Sequence, residues 1–311
     1  MLNFLKYFGE KECKTDGRRN DRTNSFCKMK LIGKEINDCI TLPGNGILKL
    51  KKGPEWRDGY LDAFILPILN NAIPLNLEPV KSSQNIRCWK AATDSAPVFI
   101  KFFNSRGLKD RLPFKKTRAC RALEGGIILL QNDFLTPSVI AYGLVLRGLK
   151  VLENFMITLW IEGGQDTYCY LKTFFDPPVS GDSLKKKRNF IEALGRLIGR
   201  MHRKGIYHGD LRPGNILIEN LNEDFRFYFI DNEKTEYFSQ GIPYRLREKN
   251  LIQLNMLVKP QITFTDRLRF FRAYLLESPD IASAGKDVML SVMKKTKKRL
   301  SKTHPGSWEK P

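Results

Sequence analysis

Paired cysteines, histidine and acidic residues are all scarce in this chain. Its six cysteines (Cys13, Cys27, Cys39, Cys88, Cys120, Cys169) never fall in a C-x-x-C pair, and only three histidines are present. That composition argues against a structural zinc site and a disulfide framework, and it predicts reduced thiols on the cytosolic side. No apolar run reaches the roughly 18 residues that a membrane-crossing helix requires. The best stretch, Ile127 to Leu146, is broken by Gln131, Asn132 and Asp133. A secretory signal is not expected either, because the N-terminus lacks a long apolar core and a small-residue cleavage site. The acidic deficit is large: 33 Asp and Glu face 53 Lys and Arg, a formal net charge of +20. Such an excess points to anionic partners, namely nucleic acid, anionic lipid or a phosphorylated substrate. No RNA-recognition, zinc-finger or basic-zipper pattern accompanies it, so nucleic acid is not an expected partner.

What remains is an ordinary globular composition, 42% hydrophobic and 28% charged, over a length that suits one large domain or two modest ones. Residues 10–24 are almost wholly polar, and residues 1–30 read as a flexible leader. Within it, Leu2, Phe4, Leu5 and Phe8 with Lys6 could touch a membrane surface or simply fray. Residues 31–77 read as an irregular N-terminal extension holding short strand-like pieces such as Gly46–Lys51, punctuated by Pro43-Gly44 and Gly53-Pro54. Strands are expected over Asn85–Ala91, Val98–Phe103, Val139–Leu146 and Phe155–Trp160, and a helix over Lys116–Leu130. Glu162 to Asp166 looks like a hinge. Beyond it Phe190, Ile191, Leu194, Leu197, Ile198 and Met201 share one helical face that stops at Gly205. A strand-rich part (78–161), a helix-rich part (162–300) and a flexible tail (301–311) follow from this pattern.

The informative segment runs from His202 to Asp231. His208-Gly209-Asp210 is followed by Asn215 five residues after the aspartate, then by an apolar strand Ile216–Ile218. A second apolar strand, Phe227–Ile230, ends in Asp231. This is the spacing H-x-D-x-x-x-x-N of a kinase catalytic loop, followed by the strand that delivers a metal-binding aspartate. The chemistry requires these residue types. Asp210 can orient an attacking hydroxyl and accept its proton, while Asn215 and Asp231 offer the hard oxygens that Mg²⁺ prefers. The plainer alternative is a helix–loop–hairpin whose polar residues cap turns. Upstream, Lys101 stands within the hydrophobic strand Val98-Phe99-Ile100-Lys101. It either meets the phosphates of ATP together with a helix carboxylate, or snorkels to water from an edge strand.

These features together resemble the lipopolysaccharide kinase family, bacterial kinase-like enzymes that phosphorylate Kdo or heptose sugars of the lipopolysaccharide inner core. The resemblance rests on Lys101-Phe102-Phe103 with Gly107–Arg111, on Arg118-Ala119 leading to Thr136-Pro137, and on Thr158, Gly163-Gly164 and His208–Leu217. It continues through Lys249-Asn250-Leu251 and Thr265–Leu275, and spans about residues 78 to 300. It implies an α+β, two-lobed protein-kinase-like fold with a β-rich N-lobe and a helical C-lobe behind the irregular extension. It also implies ATP and Mg²⁺ as cofactors, transfer of the γ-phosphoryl group to a sugar hydroxyl, and an anionic core glycolipid as partner. A cytoplasmic location follows, with peripheral contact on anionic lipid of the inner membrane. Two other readings stay open: a kinase-like phosphotransferase acting on another small molecule or a protein, and a non-catalytic scaffold.

The departures from kinase patterns also carry information. Gly209 replaces the arginine that commonly grips a phosphorylated activation loop, and no A-P-E motif follows Asp231. Both absences favour a non-protein acceptor. No G-x-G-x-x-G precedes Lys101, so the turn Lys81–Asn85, with Ser82 and Ser83, is the candidate cover for the phosphates. The resemblance makes Thr158 the nucleotide-side residue at the strand end. For the carboxylate partner of Lys101, the family position falls on Ala122, and Glu124 two residues later is the candidate. Arg212 could stabilise γ-phosphate charge, or be a surface arginine in a loop. The basic runs Lys185–Arg188 and Lys294–Arg299 could dock on an anionic membrane or only aid solubility.

Overall fold

The computed structural model describes residues 37–104, 116–176, 179–221, 224–257 and 262–303. The leader, its Leu2–Phe8 segment and the Gly107–Arg111 connection lie outside the described residues. These described residues form two compact units: one holds those up to Cys120 together with Ser138–Trp160, the other Arg121–Pro137 and those from Ile161 onward.

In the first unit, alternating polar and apolar residues build an antiparallel sheet. Its strands are β1 (Asn37–Leu42), β2 (Gly46–Lys52), β3 (Leu77–Ser83), β4 (Ile86–Ala91), β5 (Val98–Asn104), β6 (Val139–Arg147) and β7 (Lys150–Leu159). They lie in the order β1-β2-β6-β7-β5-β4-β3. Residues 37–52, expected within an irregular extension, thus form a hairpin that lengthens the sheet. The reason is local: Leu48 and Leu50 are buried while Lys49 between them is exposed, and Gly44 and Asn45 adopt the positive φ the turn requires. A π-helical turn at Leu61–Ile65 continues into α1 (Leu66–Leu69). Phe64, Ile65 and Ile68 join Ile100, Phe102, Phe155 and Ile157 in one apolar core. Each such fully buried side chain contributes on the order of 2 kcal/mol.

The second unit is mainly helical. It comprises most of α2 (Arg118–Gln131), then β8 (Gln165–Asp166), α3 (Thr167–Phe174) and α4 (Gly181–Arg203). The short β9 (Ile206–Tyr207) precedes β10 (Ile216–Leu221), β11 (Asp224–Phe229) and β12 (Glu236–Tyr237). Helices α5 (Tyr244–Asn255), α6 (Phe264–Leu276) and α7 (Gly285–Thr303) complete it. The face expected from the periodicity of α4 is the buried one, and it packs with Tyr170, Phe175, Phe227, Phe229 and Tyr274. Asp166 caps α3 by accepting the N–H groups of Tyr168 and Cys169 at 2.8 and 3.0 Å. Thr263 and Asp266 form a capping box on α6. Asp266 also pairs with Lys187 at 2.7 Å, both side chains nearly buried. Lys187 is therefore an internal residue, unlike exposed Lys185 and Arg188 in the same basic run. Among the described residues no helix is long and apolar enough to cross a membrane.

Candidate active site

In the second unit, α4 ends where Gly205 takes a φ of +74°, and the chain enters the loop His208–Asn215. A short 3-10 turn, Pro213–Asn215, returns it into β10. Strands β10 and β11 pair in register from Ile216↔Phe229 to Leu221↔Asp224, and the Ile230 N–H donates to the Asn215 carbonyl at 3.0 Å. That pairing puts Asn215 and Asp231 at neighbouring strand ends. Asp231 sits at φ +61°, ψ +44°, a left-handed conformation that costs a non-glycine residue about 1 kcal/mol and is best tolerated by Asp and Asn.

His208 ties the two strand ends together. Its imidazole is fully buried, and its Nε2 lies 3.1 Å from both the Ile230 carbonyl and Asn232 Oδ1. The Asp210 N–H points at Nδ1 from 3.3 Å. A carbonyl can only accept and an amide N–H can only donate, so these partners assign the neutral Nε2–H tautomer. Burial lowers the pKa of His208 below its ordinary value, partly opposed by its hydrogen bonds to Ile230 and Asn232 and by Asp210 and Asp231. Asn232 in turn donates to Thr136 Oγ1 at 2.8 Å. Gly125 has a packing reason as well: a Cβ there would stand 2.1 Å from the Asn232 carbonyl oxygen. The same holds for Gly209, whose Cβ would meet Lys234 Cβ at 2.1 Å and the Lys234 carbonyl at 2.5 Å. An arginine between His208 and Asp210 is excluded by that crossing.

The underside of the loop is held by α5. Asn250 accepts the His208 N–H at 3.2 Å and donates to the His208 carbonyl. Gln253 accepts the Leu211 N–H at 3.3 Å and donates to the Gly209 carbonyl at 3.4 Å, while Asn250 donates to Gln253 at 3.0 Å. Behind them His202 donates Nε2–H to Asn250 at 3.2 Å and accepts the Tyr274 hydroxyl at Nδ1, 3.0 Å away. Arg247 donates to the same hydroxyl at 3.0 Å. Burial first, and the Arg247 cation second, push the pKa of His202 down to about 3, against the opposing bond to Asn250. Both histidines are consequently neutral fixtures.

Asp210 keeps a partly open carboxylate. Arg212 grips it with two bonds, Nε to Oδ1 at 2.8 Å and Nη2 to Oδ2 at 2.6 Å. Asn215 donates Nδ2 to the Asp210 carbonyl at 2.8 Å, which leaves its amide oxygen as the donor atom for a cation. That oxygen and the exposed Asp231 carboxylate are hard donors of the kind Mg²⁺ takes, and Mg²⁺ usually fills its remaining positions with water and phosphate oxygens. The fit is to a cation shared with a phosphorylated substrate. Among the described residues no group of three His, Cys, Asp or Glu could hold a metal alone.

The structure thus brings Asp210, Arg212, Asn215 and Asp231 together in the second unit; Glu124, half-buried on α2, belongs to that unit too. Lys101, Thr158, Ser82 and Ser83 belong to the first. On β5 Lys101 is buried, with its Nζ 5.0 Å from the Phe103 ring, and Arg118 stacks on the same ring at 4.8 Å. Asn154, buried on β7, donates to the Phe103 carbonyl and accepts the Ala119 N–H at 2.9 Å, capping α2. Thr158 is buried on β7 in register with Phe99. Ser82 and Ser83 end β3 before the turn at residues 84–85, and Ser83 is exposed. Sequence reasoning gave no role to Asn154, Asn232, Asn250 or Gln253, although Lys249-Asn250-Leu251 is among the segments that carry the resemblance. A further signal was a pair of amides, Asn250 and Gln253, set three apart beside Leu251 and Leu254 on a helix.

A sequence profile described as the lipopolysaccharide kinase (Kdo/WaaP) family matches residues 100–274. The lipopolysaccharide core heptose(I) kinase WaaP of Pseudomonas aeruginosa is 33% identical over 93 residues, 28% of this chain and 34% of that protein. The match therefore spans about a third of the relative's length. A solved structure of WaaP in complex with acyl carrier protein shares the fold, with a TM-score of 0.55 at 21% identity, over 75% of this chain and 95% of that one. With more than half its length matched by that profile, from β5 to near the end of α6, the chain is a member of the lipopolysaccharide kinase (Kdo/WaaP) family.

Proposed function

We propose that the chain is an ATP- and Mg²⁺-dependent kinase that moves the γ-phosphoryl group onto a sugar hydroxyl, of Kdo or heptose, in the lipopolysaccharide inner core. The observation that carries this reading is the loop geometry of the second unit. Asp210 presents a carboxylate from a rigidly anchored loop, and Asn215 and Asp231 offer oxygens at adjoining strand ends. In the proposed roles Asp210 orients the acceptor hydroxyl and takes its proton, Asn215 and Asp231 hold Mg²⁺, and Arg212 faces anionic charge. Lys101 holds nucleotide phosphates, with Glu124 its carboxylate partner. Ser82 and Ser83 cover the phosphates, and Thr158 lies on the nucleotide side. When bound, Mg²⁺ would neutralise charge on the β- and γ-phosphates. The protein's own contribution is positioning and fixed charge.

The acceptor class follows from charge and from what replaces the peptide-binding parts. Lys234 crosses over Gly209, where a protein kinase carries the arginine that grips its activation loop. The +20 charge favours a substrate bearing carboxylate and phosphate. Exposed Lys294, Lys297 and Lys298 on α7 supply a face for anionic inner-membrane lipid. The test is γ-³²P-labelled ATP with purified core-truncated lipopolysaccharide in one tube and a generic protein mixture in another. Label is expected in the glycolipid; label confined to protein, or autophosphorylation alone, overturns the reading.

A further inference from the structure

On the kinase reading above, on which this inference rests, an acceptor that carries a carboxylate or phosphate must bring it close to like charge. Its hydroxyl meets the Asp210 carboxylate and a triphosphate, and Asp231, Glu233 and Glu236 follow within a short stretch of chain. Juxtaposed like charges repel by several kcal/mol once water is excluded. Mg²⁺ and Lys101 have their proposed places on the phosphates. The acceptor's own anion needs a different cation, set on the acceptor's side of Asp210.

The cations around the loop differ in what already holds them. Arg212 gives both prongs to Asp210, at 2.8 and 2.6 Å. Arg247 is buried between the Tyr274 hydroxyl and the Asp280 carboxylate. Lys249 lies with its Nζ 5.5 Å from the centre of the Tyr207 ring. Lys234 is exposed, and among the described residues no carboxylate pairs with its ammonium. Its backbone is nonetheless fixed. Lys234 closes the 3-10 turn Asn232–Lys234, whose first residue accepts the His208 Nε2–H and donates to Thr136 and to the Phe229 carbonyl. The Thr235 N–H donates to the Asn232 carbonyl at 3.1 Å, and Glu236 then pairs with Tyr207 as β12 meets β9. The turn crosses Gly209 so closely that a Cβ there would stand 2.1 Å from Lys234 Cβ. Asp210 is the next residue, about 3.8 Å further by Cα spacing, and a lysine side chain spans on the order of 6 Å from Cα to ammonium. A rigid base thus carries a mobile, unpaired cation within reach of whatever Asp210 addresses.

We propose that Lys234 reads the charge of the acceptor: its ammonium binds a carboxylate or phosphate beside the hydroxyl that Asp210 orients, and so restricts transfer to anionic sugars. Lysine suits the task, because a compact point charge with three donors on a flexible stem meets either anion without a fixed angle of approach. Gly209 is what admits it, since any side chain at that position would displace the turn that carries Lys234.

The test uses the full chain with Mg²⁺ and γ-³²P-labelled ATP. The acceptor is core-truncated lipopolysaccharide as purified, after phosphatase treatment, or after conversion of its carboxylates to amides. Lys234→Gln is expected to raise the KM for the untreated glycolipid about tenfold, while kcat and the KM for Mg·ATP stay within about twofold. Lys234→Arg should keep most of the affinity, because it keeps the charge. In the wild type one of the two treatments should raise KM by a similar factor, and in Lys234→Gln that treatment should add little. The treatment that does so tells phosphate from carboxylate. The role of Lys234 is overturned by an unchanged KM in Lys234→Gln, by a wild type indifferent to both treatments, by losses that multiply, or by a loss in Lys234→Arg as large as in Lys234→Gln. Transfer by the wild type leaves the kinase reading standing in each of these cases. A wild type that labels none of the acceptors overturns that reading, and the role of Lys234 with it.

Discussion

Lys101 and Asp210 are both polar groups set among apolar neighbours, yet they are held by different means. Lys101 sits on a strand whose backbone is satisfied by its neighbours β4 and β7, so register alone places it. Its Nζ lies over the ring of Phe103, two residues away on the same face. Asp210 sits on irregular backbone that no ladder satisfies. Buried N–H and C=O groups still require partners, and here they come from side chains about 40 residues downstream, Asn250 and Gln253. Regular structure positions a residue from within; a loop must be positioned from outside.

The largest expected effect tests the end of that chain of support. Asp210→Asn keeps the shape of the loop but removes the proton-accepting charge. Phosphoryl transfer should fall by about 10³ or more while Mg·ATP affinity stays close to wild type. Near-normal turnover would show that another group takes the proton.

Asn250→Ala attacks the support itself. It strips partners from the His208 N–H and carbonyl, from Gln253 and from His202 at once. Leaving such groups buried and unpaired costs roughly 2–3 kcal/mol, and the loss should appear both in thermal melting and in kcat. If the loop were instead held by its own turn bonds, melting would drop with kcat unchanged. The counterpart in the sheet, Lys101→Met, should lower kcat at saturating ATP by about tenfold or more through lost phosphate alignment. Its melting temperature should hold, since Met packs on Phe103 as the lysine stem does.

This contrast also explains what was legible in the sequence. Strands such as β4 and β5 and the buried face of α4 follow from periods of 2 and 3.6, because the pattern that marks them lies within each element itself. The hairpin of β1 and β2 did not read as part of the sheet, since its partner strand β6 lies about 95 residues on. The spacing His208, Asp210, Asn215 and Asp231 was visible because the chemistry is local to one hairpin. Asn250 and Gln253 were not, because an amide on a helix reads as surface unless its partner is known. Gly209 marked a departure from kinase patterns, but its cause, the crossing of Lys234, is a contact only the fold reveals.

Acid should loosen the supporting network before it touches the sheet. His202 and His208 both have folded pKa values depressed by burial, His202 to about 3, while the unfolded chain titrates near 6.5. Below 6.5 the unfolded state therefore binds more protons than the folded one. Stability is full above 6.5 and is lost as pH falls below it, for His202 down to about 3, by up to about 1.4 kcal/mol per pH unit. Melting temperatures measured from pH 7 to 4.5 should fall with a slope that flattens in His202→Asn. Equal slopes in the two proteins would mean that this imidazole is not the group being charged.

The smallest effect concerns charges that the fold leaves unsupported. In the run Lys185–Arg188, Lys187 is buried against Asp266 and contributes nothing to a surface field. On α7 the opposite holds: Val288, Val292, Thr296 and Leu300 face inward, while Lys294, Lys297 and Lys298 are exposed. These three share a face that an anionic membrane could approach, and each is worth on the order of 1 kcal/mol there at low salt. Lys294→Gln, Lys297→Gln and Lys298→Gln combined should weaken sedimentation with vesicles containing phosphatidylglycerol, and leave the melting temperature within about 1 °C. The wild-type interaction should fade between 50 and 300 mM salt, as screening of exposed charge requires. Binding to purely zwitterionic vesicles at the same level would refute the electrostatic account. A loss of binding in Lys185→Gln/Arg188→Gln instead would move the contact to the start of α4.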